Sequence, residues 1–285
     1  MHRDLLKKLE DEMNGFSKSQ KSIARYILDN YDKAAYMTAA NLGEQTRVSE
    51  STVVRFAAEL GFNGYPELQK ALREVVRIRL TAVQRVELTN SMIGEGDIIS
   101  KVLISDTEKI RQTLEGIDRI AFENTIDKLL NAKNIYVMGV RSSAFLAGFL
   151  SYNLGFIFDN VHLIQTNSGG EMFEQILHIG EGDAVFAISF PRYSNRIIKG
   201  VEFARERGAE VIAMTDSEGS PIANHATELL IAHSDMVSFV DSLAAPLSII
   251  NAVLAAVVRK KQGEFSERLR ELEEIWDKYD VYNKN

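Results

Sequence analysis

Short apolar runs alternate with amphipathic segments from Asn134 onward, and this alternation restricts the fold more than any other feature of the chain. Each run is followed by a glycine or polar turn and then by a segment with helical periodicity. A repeated order of strand, turn and helix predicts a parallel sheet covered by helices on both faces, with right-handed crossovers. The five predicted strands are 135–138, 161–164, 184–188, 211–214 and 229–232.

The part of the chain before these strands has helical periodicity and no strand pattern. Ser17 is the expected N-cap of its second helix, Gly94 and Gly96 mark a linker, and a long helix is predicted to start at Asp97. A charged amphipathic helix is predicted at 264–279. We expect four segments: a helical domain at 1–77, a helical linker at 78–110, an α/β domain at 111–262 and a C-terminal helix or tail at 263–285.

The composition excludes several classes of protein. The 285 residues include no cysteine, which rules out disulfides, thiolate zinc sites and a cysteine nucleophile. No signal peptide is visible, and the most apolar stretch, 243–258, contains polar residues and is shorter than the ~20 residues of a membrane span. We therefore expect a cytoplasmic protein without a membrane segment, in which 243–258 is a helix buried under the sheet or at a subunit interface.

The net charge of −7 is unevenly distributed along the chain. Residues 1–80 contain 13 basic and 11 acidic side chains, whereas the remainder contains 20 basic and 29 acidic ones. This asymmetry favours an N-terminal part that can approach phosphates and a C-terminal part that has no such requirement.

The segment 38–61, TAANLGEQTRVSESTVVRFAAELG, has the pattern of two capped helices joined by a short turn. Thr38 and Ser49 are the expected N-caps, Gly61 follows the second helix, and Gly43 allows the two helices to cross closely. Polar side chains then point outward at the start of the second helix, as on the surface that a helix-turn-helix presents to DNA. The candidate DNA-binding residues are Thr38, Arg47, Ser49, Glu50, Ser51, Thr52 and Arg55.

Two interpretations of this segment remain open from its pattern. In a DNA-binding segment, Arg55 can contact guanine through two hydrogen bonds, while the hydroxyl groups hold phosphates. Alternatively, the segment is a helical hairpin with a solvated polar face, in which Arg55 pairs with Glu59 one turn later.

The run VSESTVVRFAAELGFNGYPELQKAL, with SKSQKSIARYILDN upstream, resembles the N-terminal domain of the RpiR family of bacterial transcription regulators. The resemblance implies binding to double-stranded operator DNA. Many members of the family carry glycine in the turn where this chain has Arg47. Because a left-handed backbone conformation is less favourable without glycine, we expect either a remodelled turn or an Arg47 that contacts phosphate.

The second domain resembles the SIS (sugar isomerase) domain that follows the helix-turn-helix in that family, which implies a three-layer, Rossmann-like α/β fold with a parallel sheet. In the first matching passage a strand ends at Gly139, and Ser142 and Ser143 start a helix whose free N–H groups favour an anion. Similar domains have Gly-x-Gly-x-Ser here, and Arg141 replaces the second glycine. A simple capped helix is the alternative interpretation.

The second matching passage runs from Ser189 to Ser194, where the family pattern Ser-x-Ser-Gly-x-Thr binds a sugar phosphate. Ser189 and Ser194 keep the terminal hydroxyls, while Pro191 and Arg192 replace the central Ser-Gly. Since Arg141 and Arg192 both suit recognition of phosphate or carboxylate, we expect a ligand more anionic than a simple hexose phosphate. Alternatively, Arg192 lies on the surface in a solvated ion pair. The candidates in this passage are Ser189, Arg192, Tyr193 and Ser194.

Polar residues also follow two other predicted strands. Thr215 and Asp216 come directly after one strand and could line the same crevice, although Asp216 could also only cap the next turn. Glu171, after Ser168, has the same two interpretations. Thr215 completes the set of candidate ligand-binding residues.

A phosphosugar isomerase or lyase is the alternative function, because it would use the same sheet. Such an enzyme needs a general base, usually Glu or His. No histidine lies in a motif with a catalytic partner, and Glu171 has no distinguishing feature as a base. A helix-turn-helix also has no role in an isomerase. We therefore predict a regulator that is not an enzyme, with no cofactor and no metal site.

The effector implied by the resemblance is a phosphosugar or a related small anionic metabolite. One recognition helix reads only a few base pairs, and a dimer places two such helices about one DNA turn apart, ~34 Å. SIS domains commonly dimerise, so the resemblance implies a homodimer or homotetramer. Ligand binding at the strand ends would shift helices at the subunit interface, with Gly94 and Gly96 as the hinge.

Overall fold

The computed structural model describes residues 5–79, 81, 83–87, 96–166, 168–235 and 240–282, without the side chains of residues 77 and 78. The chain forms two compact units, Met1–Gly96 and Asp97–Asn285. Gly94, one of the two expected hinge glycines, lies outside the described residues. The division of the chain into four segments stays a prediction.

The first unit is helical, as predicted. Its core contains large apolar side chains from several helices, among them Leu9, Ile23, Leu42 and Phe56, which are fully buried. The helices are α1 (Leu5–Glu12), α2 (Lys18–Asp29), α3 (Tyr31–Ala34), α4 (Ala39–Thr46), α5 (Glu50–Glu59) and α6 (Tyr65–Arg79), with a 3₁₀ turn at Met13–Gly15 and a short helical segment at 83–87. The Ser17 cap is confirmed, because Ser17 and Gln20 form a reciprocal capping box at the start of α2.

The second unit begins with α7 (Ile98–Gly116), which confirms the long helix predicted to start at Asp97; Asp97 is its N-cap, and its carboxylate accepts from the Ser100 N–H at 3.1 Å. Five parallel strands form one sheet in the order β2-β1-β3-β4-β5. The remaining elements are α8 (Arg119–Asn131), β1 (Ile135–Gly139), α9 (Ser143–Leu154), β2 (Val161–Ile164), α10 (Gly169–Gln175), β3 (Ala184–Ile188), α11 (Asn195–Glu206), β4 (Glu210–Thr215), β5 (Glu228–Ile231), α12 (Ala244–Lys260) and α13 (Gln262–Lys278), with a 3₁₀ turn at Ala223–His225.

Helices cover both faces of this sheet, which confirms the predicted three-layer architecture. On one face, α8, α9 and α12 contribute buried residues such as Leu129, Leu150 and Val253. On the other face, α10 and α11 contribute Met172 and Val201. The apolar stretch 243–258 forms most of α12 and packs against the sheet. Of the two placements expected for it, under the sheet or at a subunit interface, the structure contains the first.

The strand order places the loops that follow β1 and β3 side by side. Strand β1 lies between β2 and β3, and Gly139 at its end pairs with Ile188 at the end of β3. The chain turns to opposite sides of the sheet after these two strands, since α9 packs on one face and α11 on the other. Such a switch in direction opens a crevice at the carboxyl ends of the strands, where ligands bind in open α/β sheets.

No helix in the described ranges is both long enough and apolar enough to cross a lipid bilayer.

Candidate functional site

The two helices at 39–59 begin at the predicted caps. Thr38 accepts a hydrogen bond from the Asn41 N–H at 3.1 Å, and Ser49 accepts one from the Thr52 N–H at 3.3 Å. These bonds satisfy N–H groups that a helix start leaves without a partner. The first helix is held in place from α6, because the Tyr65 hydroxyl donates to the Met37 carbonyl at 2.8 Å. Burial raises the pKa of Tyr65 to about 12, so this donor stays protonated.

The turn between α4 and α5 keeps its left-handed residue although that residue is not glycine. Arg47 has a φ of 57° and a ψ of 42°. The Val48 N–H donates to the Gly43 carbonyl at 2.9 Å and the Arg47 N–H to the Glu44 carbonyl at 3.2 Å, which is the pattern of a Schellman motif. The turn is thus not remodelled, and the guanidinium of Arg47 is exposed at its surface.

Gly43 has the role that its position predicts. A Cβ atom at this residue would lie 2.8 Å from the Val48 carbonyl oxygen, so the close crossing of α4 and α5 requires glycine. Gly61 ends α5 with a φ of 87°, and the Phe62 N–H donates to the Ala57 carbonyl at 3.1 Å. Both ends of the two-helix segment are therefore fixed by hydrogen bonds within the segment itself.

Most of the candidate DNA-binding residues lie on the exposed surface around the start of α5. Thr52 is partly buried, and its hydroxyl receives a hydrogen bond from Arg55 at 3.5 Å. Glu59 accepts from Gln20 of α2 instead of pairing with Arg55, so the expected intrahelical alternative for Arg55 is not found. The exposed candidates are Thr38, Arg47, Ser49, Glu50, Ser51 and Arg55.

In the second unit, the loop after β1 brings the start of α9 unusually close to the strand. A Cβ atom at Gly139 would lie 2.5 Å from the Ser143 carbonyl oxygen. Arg141 has a φ of 58°, in the left-handed region that favours glycine, and its side chain is exposed. Ser142 is the N-cap residue of α9, but its side chain makes no capping hydrogen bond. The alternative interpretation of this passage, a helix capped by a serine side chain, is therefore not found.

The loop after β3 lies beside this helix start. Ser189 is buried, and its N–H donates to the Met214 carbonyl at 3.1 Å. Ser194 caps α11 by accepting from the Arg196 N–H at 3.2 Å. Arg192 is exposed, and within the described ranges no carboxylate forms an ion pair with it. The alternative interpretation, in which Arg192 forms a solvated ion pair on the surface, is therefore not found within those ranges.

Hydrogen bonds tie the neighbouring loops together. The Tyr193 hydroxyl donates to Oδ1 of Asp216 at 2.9 Å, and the Thr215 hydroxyl donates to the same oxygen at 3.1 Å. Asp216 therefore joins the loops after β3 and β4 instead of only capping a turn. Sequence reasoning placed Asp216 near the crevice but did not identify its contact with Tyr193, because that contact depends on the order of the strands.

A second link joins the loops after β2 and β3. Arg196 donates from a guanidinium nitrogen to the Thr166 carbonyl at 3.1 Å. Glu171 is held inside its own loop: its N–H donates to Ser168 Oγ at 3.1 Å, and its carboxylate accepts from the Thr166 hydroxyl. Sequence reasoning missed Arg196, whose only signal was its place in the first turn of α11.

Two buried serines lie at the ends of the adjacent strands β1 and β3. Ser143 is 5% exposed and Ser189 is 3% exposed, and neither hydroxyl has a hydrogen-bond partner within the described part of the chain. Together with the uncapped start of α9, these hydroxyls make the crevice between β1 and β3 a suitable place for a ligand with several oxygen atoms.

The histidines do not gather at this crevice. His162 lies in β2, next to β1, and its Nε2 contacts the side chain of Asn134, just before the start of β1, at 3.3 Å. Across the described ranges there is no group of three His, Asp or Glu side chains placed to hold a metal ion.

Comparison with protein families now identifies both units. Residues 3–77 match the helix-turn-helix domain of the rpiR family, and residues 128–256 match the SIS domain. The chain belongs to the RpiR family of transcriptional regulators. The resemblance noted from the residues at 17–72 and at the strand ends is thereby confirmed, and so is the fold class.

Curated relatives of this RpiR-family protein are themselves transcriptional regulators. The regulator HexR of Escherichia coli is 25% identical over 95% of this chain and 93% of its own length. HexR of Pseudomonas aeruginosa is 24% identical over 95% of each chain. These relatives are named regulators and not enzymes, in agreement with the prediction that this DNA-binding protein has no catalytic function.

Solved structures with the same fold cover either nearly all of this RpiR-family chain or about three fifths of it. The NanR protein of Vibrio vulnificus, determined with ManNAc-6P, covers 99% of this chain and 100% of its own, with a TM-score of 0.60 and 23% identity. The sugar isomerase domain of an RpiR transcription factor from Sphaerobacter thermophilus covers 61% of this chain and 97% of its own, with a TM-score of 0.59 and 26% identity. The likeness to NanR shows a common fold.

Proposed function

We propose that this RpiR-family regulator binds operator DNA through the exposed start of α5 and that a phosphosugar, or a related small anionic metabolite, controls this binding from the crevice between β1 and β3. The uncapped start of α9 carries the proposal about the effector. The N–H groups of Ala144 and Phe145 already donate to the carbonyl oxygens of Arg141 and Ser142, at 3.1 and 3.3 Å, but the N–H of Ser143 has no hydrogen-bond partner within the described ranges, and the helix dipole favours an anion there.

The side chains around α9 support the same ligand class. The hydroxyls of Ser143 and Ser189 offer hydrogen bonds to phosphate or sugar oxygens from opposite sides of the crevice. The remaining candidates for contacts with this ligand are Gly139, Arg141, Ser142, Arg192, Tyr193, Ser194 and Thr215. The structure of NanR complexed with ManNAc-6P is consistent with this assignment.

Arg141 and Arg192 indicate that the effector carries more negative charge than a simple hexose phosphate. Each is exposed at the end of a neighbouring strand, and neither has a partner within the described part of the chain. Guanidinium groups bind phosphate and carboxylate through paired hydrogen bonds. A second acidic group on the effector, besides a phosphate, would give both arginines a partner.

Isothermal titration calorimetry with a panel of sugar phosphates and phosphorylated sugar acids tests this effector site. We expect Arg192→Ala to weaken the best ligand about 10-fold or more, because a hydrogen bond to a charged group contributes about 1.5–3 kcal/mol. Lys199→Ala is the matched control, since Lys199 is an exposed cation on the adjacent helix α11. Unchanged affinity in Arg192→Ala would remove this arginine from the site.

A gel shift with DNA from upstream of the neighbouring operon tests the DNA-binding half of the proposal. We expect a specific shift that changes when extracted metabolites are added, and a loss of specificity in Arg55→Ala, because a bidentate contact to a base contributes about 1–3 kcal/mol of discrimination. The absence of any specific shift at low salt would contradict the proposal, and turnover of phosphosugars by the purified protein would favour the enzyme instead.

We further propose that the protein acts in the cytoplasm as a homodimer or homotetramer. Helix α9 presents an exposed aromatic row, with Phe145 at 78%, Phe149 at 41% and Tyr152 at 69% exposure. Exposed apolar patches of this kind mark interaction surfaces. Since the same helix begins at the proposed effector site, ligand binding there can shift a subunit interface formed by this row.

Light scattering tests this assembly. We expect more than one chain per particle at micromolar concentration, and dissociation when Phe145 and Tyr152 are both changed to Glu. A monomeric wild-type protein would contradict the proposal. The predicted hinge at Gly94 and Gly96 is tested separately, by induction in a variant with alanine at both positions.

A further inference from the structure

The outer face of α2 carries three basic residues in a row. Lys18, Lys21 and Arg25 stand at positions i, i+3 and i+7, a spacing that places them on one side of a helix. The opposite side of α2 is buried in the core through Ile23 and Ile27. We refer to Lys18, Lys21 and Arg25 together as the α2 basic face.

These three cations have no local function in the fold. Lys18 and Arg25 are exposed and Lys21 is partly exposed. Within the described ranges, none of the three forms an ion pair or a side-chain hydrogen bond, whereas Lys8 of the same unit bonds to the Leu60 carbonyl. The single carboxylate of α2, Asp29, lies at the last residue of the helix. The α2 basic face is thus a patch of uncompensated positive charge.

Two contacts place this patch beside the helix-turn-helix. The Ser22 hydroxyl donates to the Thr46 carbonyl at 3.0 Å, so α2 touches the last residue of α4, immediately before Arg47. Ser22 lies four residues after Lys18 and three before Arg25, so these two cations flank the contact. Gln20 donates to Glu59 at the end of α5. Helix α2 therefore extends along the segment that carries the recognition surface.

Arg47 adds a fourth cation next to this contact. Its left-handed conformation is unfavourable by about 1–2 kcal/mol for a residue with a Cβ atom. The guanidinium makes no hydrogen bond or ion pair within the described ranges that would offset this. Backbone strain of this kind is found at functional sites, where the side chain is needed in that place.

We infer that the α2 basic face and Arg47 form a clamp for the DNA backbone, which contacts phosphates outside the base pairs that α5 reads. The inference rests on the proposed role of α4 and α5 in DNA binding and adds a sequence-independent component to it. Contacts to phosphates position a protein on the duplex, while contacts to base edges supply specificity. Each phosphate contact also releases counterions, which makes the affinity depend on salt.

The salt dependence of binding to a fluorescein-labelled duplex of random sequence tests this clamp by anisotropy. We expect the variant Lys18→Ala/Lys21→Ala/Arg25→Ala to reduce the slope of log K against log salt by about 1 for each phosphate that is no longer bound. Affinity for the operator fragment should fall by the same factor as affinity for random DNA. The matched control is Lys7→Ala/Lys33→Ala/Lys70→Ala, which removes three exposed lysines from α1, α3 and α6.

The outcomes separate this inference from the proposed function. Wild-type binding together with an unchanged slope in the α2 variant would overturn the clamp and leave the role of α5 intact. An equal fall of the slope in the control variant would also overturn it, since the effect would then be general charge. If the wild-type chain binds neither duplex, the proposed function and the clamp both fail. Thermal melting of both variants verifies that the fold is kept.

Discussion

The starts of α5 and α9 lie in different units and differ in how their first N–H groups are capped. At α5, Ser49 closes the helix with its own side chain and leaves Ser51 and Arg55 exposed for contact. At α9, Ser142 stands in the N-cap position but makes no capping bond. One helix start is thus closed by a side chain, whereas the other is closed by backbone carbonyls, since the N–H groups of Ala144 and Phe145 donate to Arg141 and Ser142.

This difference agrees with what each proposed site would recognise. A base edge is read by side chains that project into the groove, and these need a firmly ended helix beneath them. A small anion is held well by backbone N–H groups at a helix start, because their dipoles already point at it. The side chain of Ser49 is expected to stabilise α5 as a cap, whereas the side chain of Ser142 makes no such contribution to α9.

The largest effect is expected at the glycines that bring each helix start close to the preceding element. Gly139→Ala and Gly43→Ala should each destabilise their unit by about 1–3 kcal/mol, with Gly139→Ala the more severe. The new Cβ would lie 2.5 Å from a backbone oxygen at Gly139 and 2.8 Å at Gly43. Urea unfolding measures both changes.

Gly148→Ala is the control for these two substitutions. Gly148 lies inside α9 with nothing within 4 Å of an added Cβ, so alanine there should stabilise the helix by about 0.5–1 kcal/mol. A Gly139→Ala protein as stable as the wild type would contradict the close packing of α9 against β1.

The next effect distinguishes the two caps directly. Ser49→Ala should lower the free energy of unfolding by about 1 kcal/mol, because it removes a capping hydrogen bond. Ser142→Ala should change stability little, because no such bond exists there. Thermal unfolding of the two variants without ligand measures this contrast. Equal losses in both would mean that α9 is capped after all.

The smallest effect concerns the two arginines at positive φ, Arg47 at 57° and Arg141 at 58°. Glycine at either position should stabilise the free protein by about 0.5–1 kcal/mol, since relief of the strained backbone exceeds the extra entropy of the unfolded chain. Arg47→Gly should weaken DNA binding alone, and Arg141→Gly should weaken effector binding alone. Chemical denaturation and the two binding assays together verify this, and a loss of stability in either variant would argue against strain.

The features that sequence could predict are local ones. Thr38, Ser49 and Gly61 act through hydrogen bonds to residues two to five positions away, so the pattern of residue types along the chain is sufficient to identify them. The five strands were predicted for a similar reason, because each is an apolar run bounded by turn residues.

The features that sequence could not predict join distant parts of the chain. The bond between Tyr193 and Asp216 requires β3 and β4 to be neighbours, and the bond between Arg196 and Thr166 spans 30 residues. The aromatic row of α9 was missed because the helix is apolar on every side, which leaves no periodicity to distinguish the exposed residues from the buried ones. The positive φ at Arg141 depends on the close packing of α9 against β1 and not on the arginine itself.

The position of the crevice between β1 and β3 has a consequence for how such regulators diversify. The loops that line it connect strands to helices, and apart from Phe190 and Val140 the residues at 139–143 and 189–194 lie outside the two apolar layers on either side of the sheet. Exchange of the segments at 139–143 and 189–194 between paralogues should therefore retune which metabolite is sensed while the promoter that is read stays the same. A biosensor built on this scaffold could be reprogrammed at these two short segments.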